Sequence, residues 1–295
     1  MRAHQGGALE ANQLEKLVSW APQTSLRVAS ANMRAFGALV RIEATADSRA
    51  KTELTLSGRA LLPVIAALER WLLLSPRGAI ELDGAAARGA VRILTSTWDS
   101  TLIREMAEQP RTLAQLNTQL DDSSYPVLKR SLAKLRSMNL VDPVGARTKG
   151  RSFEVSAWLR HAIGPLIFAS RWEQLHIATE TEPMSRIDVE TMFMLAVPLA
   201  DLPVDTFGTC SLAAARPMIV GEPAQAPDGV SLGFEAGLIA FCAAGPDAKA
   251  TTWGLGSASA WQNAFIDGEN AELLVRGIRP LLIRSIVSGI NEAIF

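Results

Sequence analysis

The chain has 295 residues, with 29 Lys plus Arg against 30 Asp plus Glu, a formal net charge of −1. Hydrophobic residues make up 48% and charged residues 20%, which excludes a disordered chain and favours two or three domains. Two cysteines, Cys210 and Cys242, lie far apart and outside any CxxC, which excludes a disulfide scaffold and a zinc ribbon. They read as small buried hydrophobes in a reducing compartment.

The first residues, MRAHQGGALEANQ, have no apolar core of the signal-peptide kind, and no run of 18 apolar residues exists. The expectation is a soluble, cytoplasmic protein. His4, His161 and His176 fall in no ligand pattern, and GxSxG and GxxxxGK[ST] are absent. Neither a metal nor a cofactor is expected, and the chain reads as a binding protein, not an enzyme.

The near-neutral charge conceals an asymmetry. Residues 1–180 hold 23 basic and 17 acidic side chains, net +6; residues 181–295 hold 6 and 13, net −7. Such a split suggests that the front part meets a polyanion.

An internal repeat organises that front part. At an offset of 101, Leu39-Val40 aligns with Leu140-Val141, Glu53-Leu54 with Glu154-Val155, Arg59 with Arg160, and Arg70-Trp71 with Arg171-Trp172. Upstream, Leu14-x-x-Leu17 aligns with Leu113-x-x-Leu116 at an offset of 99.

In chain order, the first copy predicts a helix over Leu14–Trp20 and a second over Pro22–Phe36 with polar members Gln23, Thr24, Ser25, Arg27 and Arg34. A hairpin of Val40–Ala44 and Lys51–Leu56 follows, with Arg49 and Lys51 near its tip. The second copy opens with a helical pattern over residues 88–108, with Val91, Leu94, Trp98, Leu102, Ile103 and Met106 on one side. Gln109-Pro110 stops it, and Thr112 caps the short helix LAQLNTQL. After Asp121-Asp122-Ser123-Ser124, a helix from Tyr125 to about Asn139 has an apolar face of Leu128, Leu132, Leu135 and Met138. Lys129, Arg130, Lys134 and Arg136 occupy its other side. A hairpin with the basic tip Arg147-Thr148-Lys149-Gly150-Arg151 and a long apolar helix, Trp158–Gln174, close the unit. Residues 123–151 carry seven basic side chains and one acidic, Asp142.

Thr181-Glu182-Pro183 reads as a linker. Residues 187–200 predict a helix with Ile187, Met192, Phe193 and Leu195. Short apolar runs, Gly208–Ala213, Pro217–Val220, Val230–Glu235, Leu238–Ala243 and Ala250–Gly254, predict an antiparallel sheet. A helix over Ser259–Asp267, a turn at Gly268, a strand at Leu273–Val275 and a helix over Arg279–Phe295 complete the chain.

Two resemblances follow from these residues. Trp98–Met106 (WDSTLIREM), Gln109–Leu116 (QPRTLAQL) and Leu132–Val141, with Asn139 where a glycine is usual, resemble the HxlR branch of the MarR-like winged helix-turn-helix regulators. Gly37–Ala44 and Lys51–Trp71 are similar to the closing part of the same fold, so the first unit looks like a truncated copy. The resemblance implies that Ser123, Ser124, Tyr125, Lys129, Arg130, Lys134, Arg136, Arg147, Lys149 and Arg151 meet double-stranded DNA. Thr24, Ser25, Arg27, Arg49 and Lys51 would do so in the first copy. It also implies a pseudo-dimer within one chain, or a homodimer.

Gly256–Trp261, Ile266-Asp267-Gly268, Leu274–Gly277 and the apolar last helix resemble a sterol-carrier-protein-like domain. That resemblance implies an apolar pocket involving Phe234, Trp253, Trp261 and Phe265, for a hydrophobic small-molecule effector. The expected fold is α+β. It comprises a truncated winged-helix unit (1–75), a complete one (76–180) and a sterol-carrier-like α+β domain (181–295). The expected function is a one-component transcription regulator. The alternative is a hydrophobic-ligand carrier with degenerate winged helices.

Overall fold

The computed structural model describes residues 6–18, 21–45, 49–96, 100–120, 124–145, 150–177, 188–215 and 227–295. The chain is mixed α+β. Among the described residues no helix is long and apolar enough to cross a membrane.

The first part runs β1 (Leu9–Glu10), α1 (Ala11–Leu17), α2 (Gln23–Ala35), β2 (Leu39–Ile42), β3 (Lys51–Leu54), α3 (Leu56–Ala60) and α4 (Leu62–Leu73). Two helices, α5 (Ala85–Ser96) and α6 (Ser100–Glu108), come next. The same order then recurs as β4 (Arg111–Thr112), α7 (Leu113–Gln119), α8 (Tyr125–Ser137), β5 (Val141–Val144), β6 (Ser152–Val155), α9 (Ala157–His161) and α10 (Ile163–His176). The two small antiparallel sheets have matching orders, β1-β3-β2 and β4-β6-β5.

Local chemistry repeats with the elements. Thr55 Oγ1 accepts from Gly58 N, and Ser156 Oγ accepts from Leu159 N, capping α3 and α9. The helices α2 and α8 end in the same motif. Ala38 N donates to Met33 O at 2.8 Å, and Leu140 N donates to Leu135 O at 2.9 Å. Each is a six-to-one closure around a residue of positive φ, Gly37 at 71° and Asn139 at 58°. Asn replaces Gly there because its short polar side chain tolerates the left-handed region.

Two expectations are corrected. Elements of the two copies correspond at an offset of 102 through the first hairpin strand and 101 after it, because the first hairpin loop is one residue longer. Leu14 is therefore the counterpart of Leu116, not of Leu113. The pattern over 88–108 falls in α5 and α6, and residues 97–99 between them, Trp98 included, lie outside the described residues. The helix expected over Trp158–Gln174 is two, α9 and α10. Pro165 has no N–H to donate to the His161 carbonyl, so the first turn of α10 starts anew.

The copies meet through α4 and α10. Trp71 and Trp158 stack at 4.7 Å between ring centroids, 11° from parallel. Trp71 Nε1 donates to the Trp158 carbonyl at 2.8 Å, and Trp158 Nε1 donates to the Trp71 carbonyl at 2.7 Å. The related position in the other direction repeats the bond, with Trp172 Nε1 donating to the Ser57 carbonyl at 2.8 Å. Position 71 contacts 158, and 172 contacts 57, so the contact has the reciprocity of a two-fold interface.

The third part comprises α11 (Val189–Ala196), a 3-10 turn (Val197–Leu199), β7 (Gly208–Ala214), β8 (Asp228–Glu235), β9 (Leu238–Ala244), β10 (Thr252–Gly256), α12 (Ala258–Asp267), β11 (Leu274–Gly277) and α13 (Pro280–Ile294). Its five strands are ordered β11-β10-β7-β8-β9. The sheet is mixed, correcting the antiparallel expectation, because β10 returns beside β7 in parallel register. The expected strand Pro217–Val220, the expected linker and Ile187 lie outside the described residues. Asp188 caps α11 and Ser257 caps α12, each accepting from a backbone N–H three residues on. A single continuous core runs from Ala67 in α4 to Ile294 in α13.

Two outcomes are expected from this packing. Trp158→Ala should cost about 3–5 kcal/mol, as a large buried ring is lost. Trp71→Phe should cost about 1–3 kcal/mol by leaving the Trp158 carbonyl unpaired. A double-mutant cycle by urea unfolding should return a positive coupling energy, and strict additivity would refute the clasp.

His161, half-buried between the copies and α13, is held below its ordinary pKa of 6.5, chiefly by burial. A backbone hydrogen bond at Ala293 opposes this shift, and the Arg70 charge adds to it. The folded imidazole thus resists a proton that the unfolded one accepts near 6.5. Stability should be full above that pH and fall as pH drops toward the folded value. Urea midpoints of wild type and His161→Gln should converge at acid pH relative to their difference at pH 8.

Candidate functional site

Helix α8 divides into two faces. Leu128, Leu132 and Leu135 are buried beneath it, in the same core as Leu102, Ile103 and Met106 of α6. Thr112 and Gln115 form a capping box that starts α7, with Thr112 N donating to Gln115 Oε1 at 2.8 Å and Gln115 N donating to Thr112 Oγ1 at 3.2 Å. The stretch α6–α7 is locked from below by Arg111, mostly buried and bridged to Glu105 and Glu108 at 3.2 Å each.

On the outward face, Lys129, Arg130 and Lys134 are exposed and form no ion pair with described residues. Tyr125 and Val127 are about half exposed beside them, in the first turn. Ser124 occupies the N-cap position but makes no capping bond with its side chain, leaving its hydroxyl available. These residues form one contiguous cationic surface with an aromatic at its leading end.

Two expected members are placed differently. The Arg136 guanidinium lies over the Phe153 ring of β6, 5.2 Å from its centroid, so this cation braces the hairpin against the helix. Arg151 has a buried Nε without a hydrogen-bond partner among the described residues, so it is not a freely solvated tip cation. Ser123, Arg147 and Lys149 lie outside the described residues.

In the first copy, Thr24, Ser25 and Arg27 are exposed on α2, and Arg49 is exposed at the hairpin. Lys51 is partly buried on β3. No residue of α2 is buried, whereas α8 buries three. Among the described residues no counterpart of α6 covers the first copy.

The four aromatic residues expected around a C-terminal pocket do not face a common space. Trp261 and Phe265 are fully buried and pack with Phe193, at centroid distances of 5.0 Å and 6.2 Å from it. Trp261 Nε1 donates to the Ala213 carbonyl at 2.8 Å. Phe234 is buried on the same sheet face. Trp253 alternates to the opposite face, because its neighbour Gly254 is the residue that meets Trp261 and Ile283. Phe234, Trp261 and Phe265 are thus core side chains, and Trp253 is partly buried on the other face. Trp261→Ala should cost about 3–5 kcal/mol in chemical unfolding; an unchanged midpoint would mean that the ring fills no core.

Two buried features carry little signal in the sequence. Arg160 of α9 donates to the Met194 carbonyl at 2.6 Å and the Ala107 carbonyl at 3.4 Å, tying α9, α11 and α6 together. Burial lowers its pKa, while Cys242 and Glu154 raise it. The repeat places Arg59 and Arg160 at equivalent positions, which is the only trace of it. Burial also pushes the Cys210 thiol up, and it pushes the Cys242 thiol up to about 12, with Arg160 opposing. Both are protonated side chains of the sheet interior.

No family model matches the chain, and neither the curated proteins nor the solved structures give a match.

Proposed function

We propose that the chain is a DNA-binding transcription regulator built on two tandem winged helix-turn-helix units. The supporting observation is the surface of α8, where Lys129, Arg130 and Lys134 are exposed, without an ion pair among the described residues, above a buried Leu128-Leu132-Leu135 face. A helix anchored on one side and cationic on the other suits a groove of duplex DNA. Unpaired Lys and Arg neutralise phosphates, while Ser124 and Tyr125 at the leading end suit positioning or base contacts. The hairpin braced by Arg136 and Phe153 would act as the wing. The reciprocal Trp71 and Trp172 contacts favour a pseudo-dimer, two units of one chain standing in for two chains. The part spanning 188–295 would assemble or sense, in a sterol-carrier-like α+β layer. Its acidic excess keeps it from competing for the duplex. The carrier reading finds less support, since Trp261 and Phe265 pack against Phe193.

A salt-titrated binding assay with random duplex DNA tests this reading. Lys129→Ala with Arg130→Ala should weaken binding at low salt and flatten the slope of log K against log salt by about 2. Both side chains are exposed, so stability should change by no more than about 0.5 kcal/mol per site. Wild-type affinity and slope in the double variant would overturn the assignment of α8.

A further inference from the structure

Among the described residues the first copy has no counterpart of α6. In the second copy α6 packs on β6 and joins Leu116, Leu128 and Leu132 in one core. In the first, an open cavity of about 270 Å³ lies between α1, α2 and the hairpin, with Leu9, Leu14 and Leu26 in its lining. Small-molecule sites run from about 300 to 1,000 Å³, so the slot suits a small ligand.

The lining has diverged in one direction. Buried Leu132 corresponds to Ser30, and Phe153 to Thr52. Pro143 corresponds to Arg41 and Ser152 to Lys51, so two cations are gained where the second copy has none. With Arg27 and Arg34, retained from Lys129 and Arg136, four cations line the cavity against one carboxylate, Glu15. Glu15 is engaged by Gln23, whose Nε2 donates to it at 2.6 Å. Arg41 shares its charge with Glu43 at 3.5 Å. Arg27, Arg34 and Lys51 form no ion pair among the described residues. Hydroxyls and cations have replaced the groups that would receive an apolar helix, yet the leucines remain.

We propose that this slot binds an amphipathic organic anion, a medium-chain carboxylate whose acyl part lies on Leu9, Leu14 and Leu26. Its carboxylate pairs with Arg27, Arg34 and Lys51. A charged head near three cations gains charge-assisted hydrogen bonds that an alcohol of equal length does not. The site stands independently of the DNA-binding reading, because it is argued from the cavity and its lining alone.

Calorimetric titration of the full chain tests it, with octanoate, octan-1-ol, inorganic phosphate and a synthetic peptide of residues 100–109 as probes. Octanoate should bind about tenfold or more tightly than octanol, and phosphate alone should not bind measurably. Arg27→Gln with Arg34→Gln should erase the preference for octanoate over octanol. Ser30→Leu with Thr52→Phe, which installs the second copy's residues, should abolish octanoate binding while the circular dichroism spectrum stays that of wild type. Equal binding of octanoate and octanol, or binding untouched by these variants, would overturn the proposal. So would tight binding of phosphate alone. Binding of the peptide in place of octanoate would make the slot a helix-docking groove instead.

Discussion

The reciprocal contact of Trp71 with Trp158 is the constraint on which the arrangement of the chain rests. Two indole rings bury their apolar faces against each other while each N–H reaches the other residue's carbonyl. Large rings supply burial without leaving a polar atom unpaired, the condition under which tryptophan suits an interior. The contact joins α4 to α9, and the Trp172 bond to Ser57 joins α10 to α3, so together they fix the closing helices of both copies. Everything upstream of those helices, α2 with its hairpin and α8 with its own, is oriented from that seam.

The same repeat then meets two different environments. The second copy has α5 and α6 before it, and their apolar residues complete the core under α8. In the first copy the equivalent leucines, Leu14 and Leu26, are only partly buried, and no residue of α2 is buried. Burial of α8 on one face is what makes its other face a defined surface, because a helix anchored by three leucines presents fixed positions to a ligand. The open slot of the first copy has the opposite consequence, concave space in place of a convex cationic ridge.

The third part is joined to the second copy by polar links as well as by the core. Arg160 reaches carbonyls of α6 and α11, Arg104 pairs with Glu190 at 2.8 Å, and Arg171 meets Asp267 at 3.1 Å. Arg160 is costly to bury, and carbonyl acceptors offset that cost only in this geometry. A shift of α11 against the sheet would therefore be felt in α6, which shares a core with α8, the helix that carries Lys129 and Arg130.

Much of this was legible in the sequence. The Leu128-Leu132-Leu135 spacing marked the buried side of α8, and Arg70-Trp71 with Arg171-Trp172 marked the repeat, because helical periodicity and local caps are written in neighbouring residues. The described strands of the third part lie nearly at their expected bounds, but the parallel return of β10 was not legible, since pairing partners are set by contacts far apart in sequence. Trp261 and Phe265 looked the same as pocket lining or as core until their packing on Phe193 was known. Arg136 likewise counted as one more surface cation until Phe153 was found beneath it. The sequence by itself determined most of the elements, the duplication and the divided charge. Only the tertiary structure decided which of the described cations are exposed, that the two copies clasp through their tryptophans, and that α2 buries no residue where α8 buries three. Whether a side chain faces solvent depends on neighbours brought there by the fold.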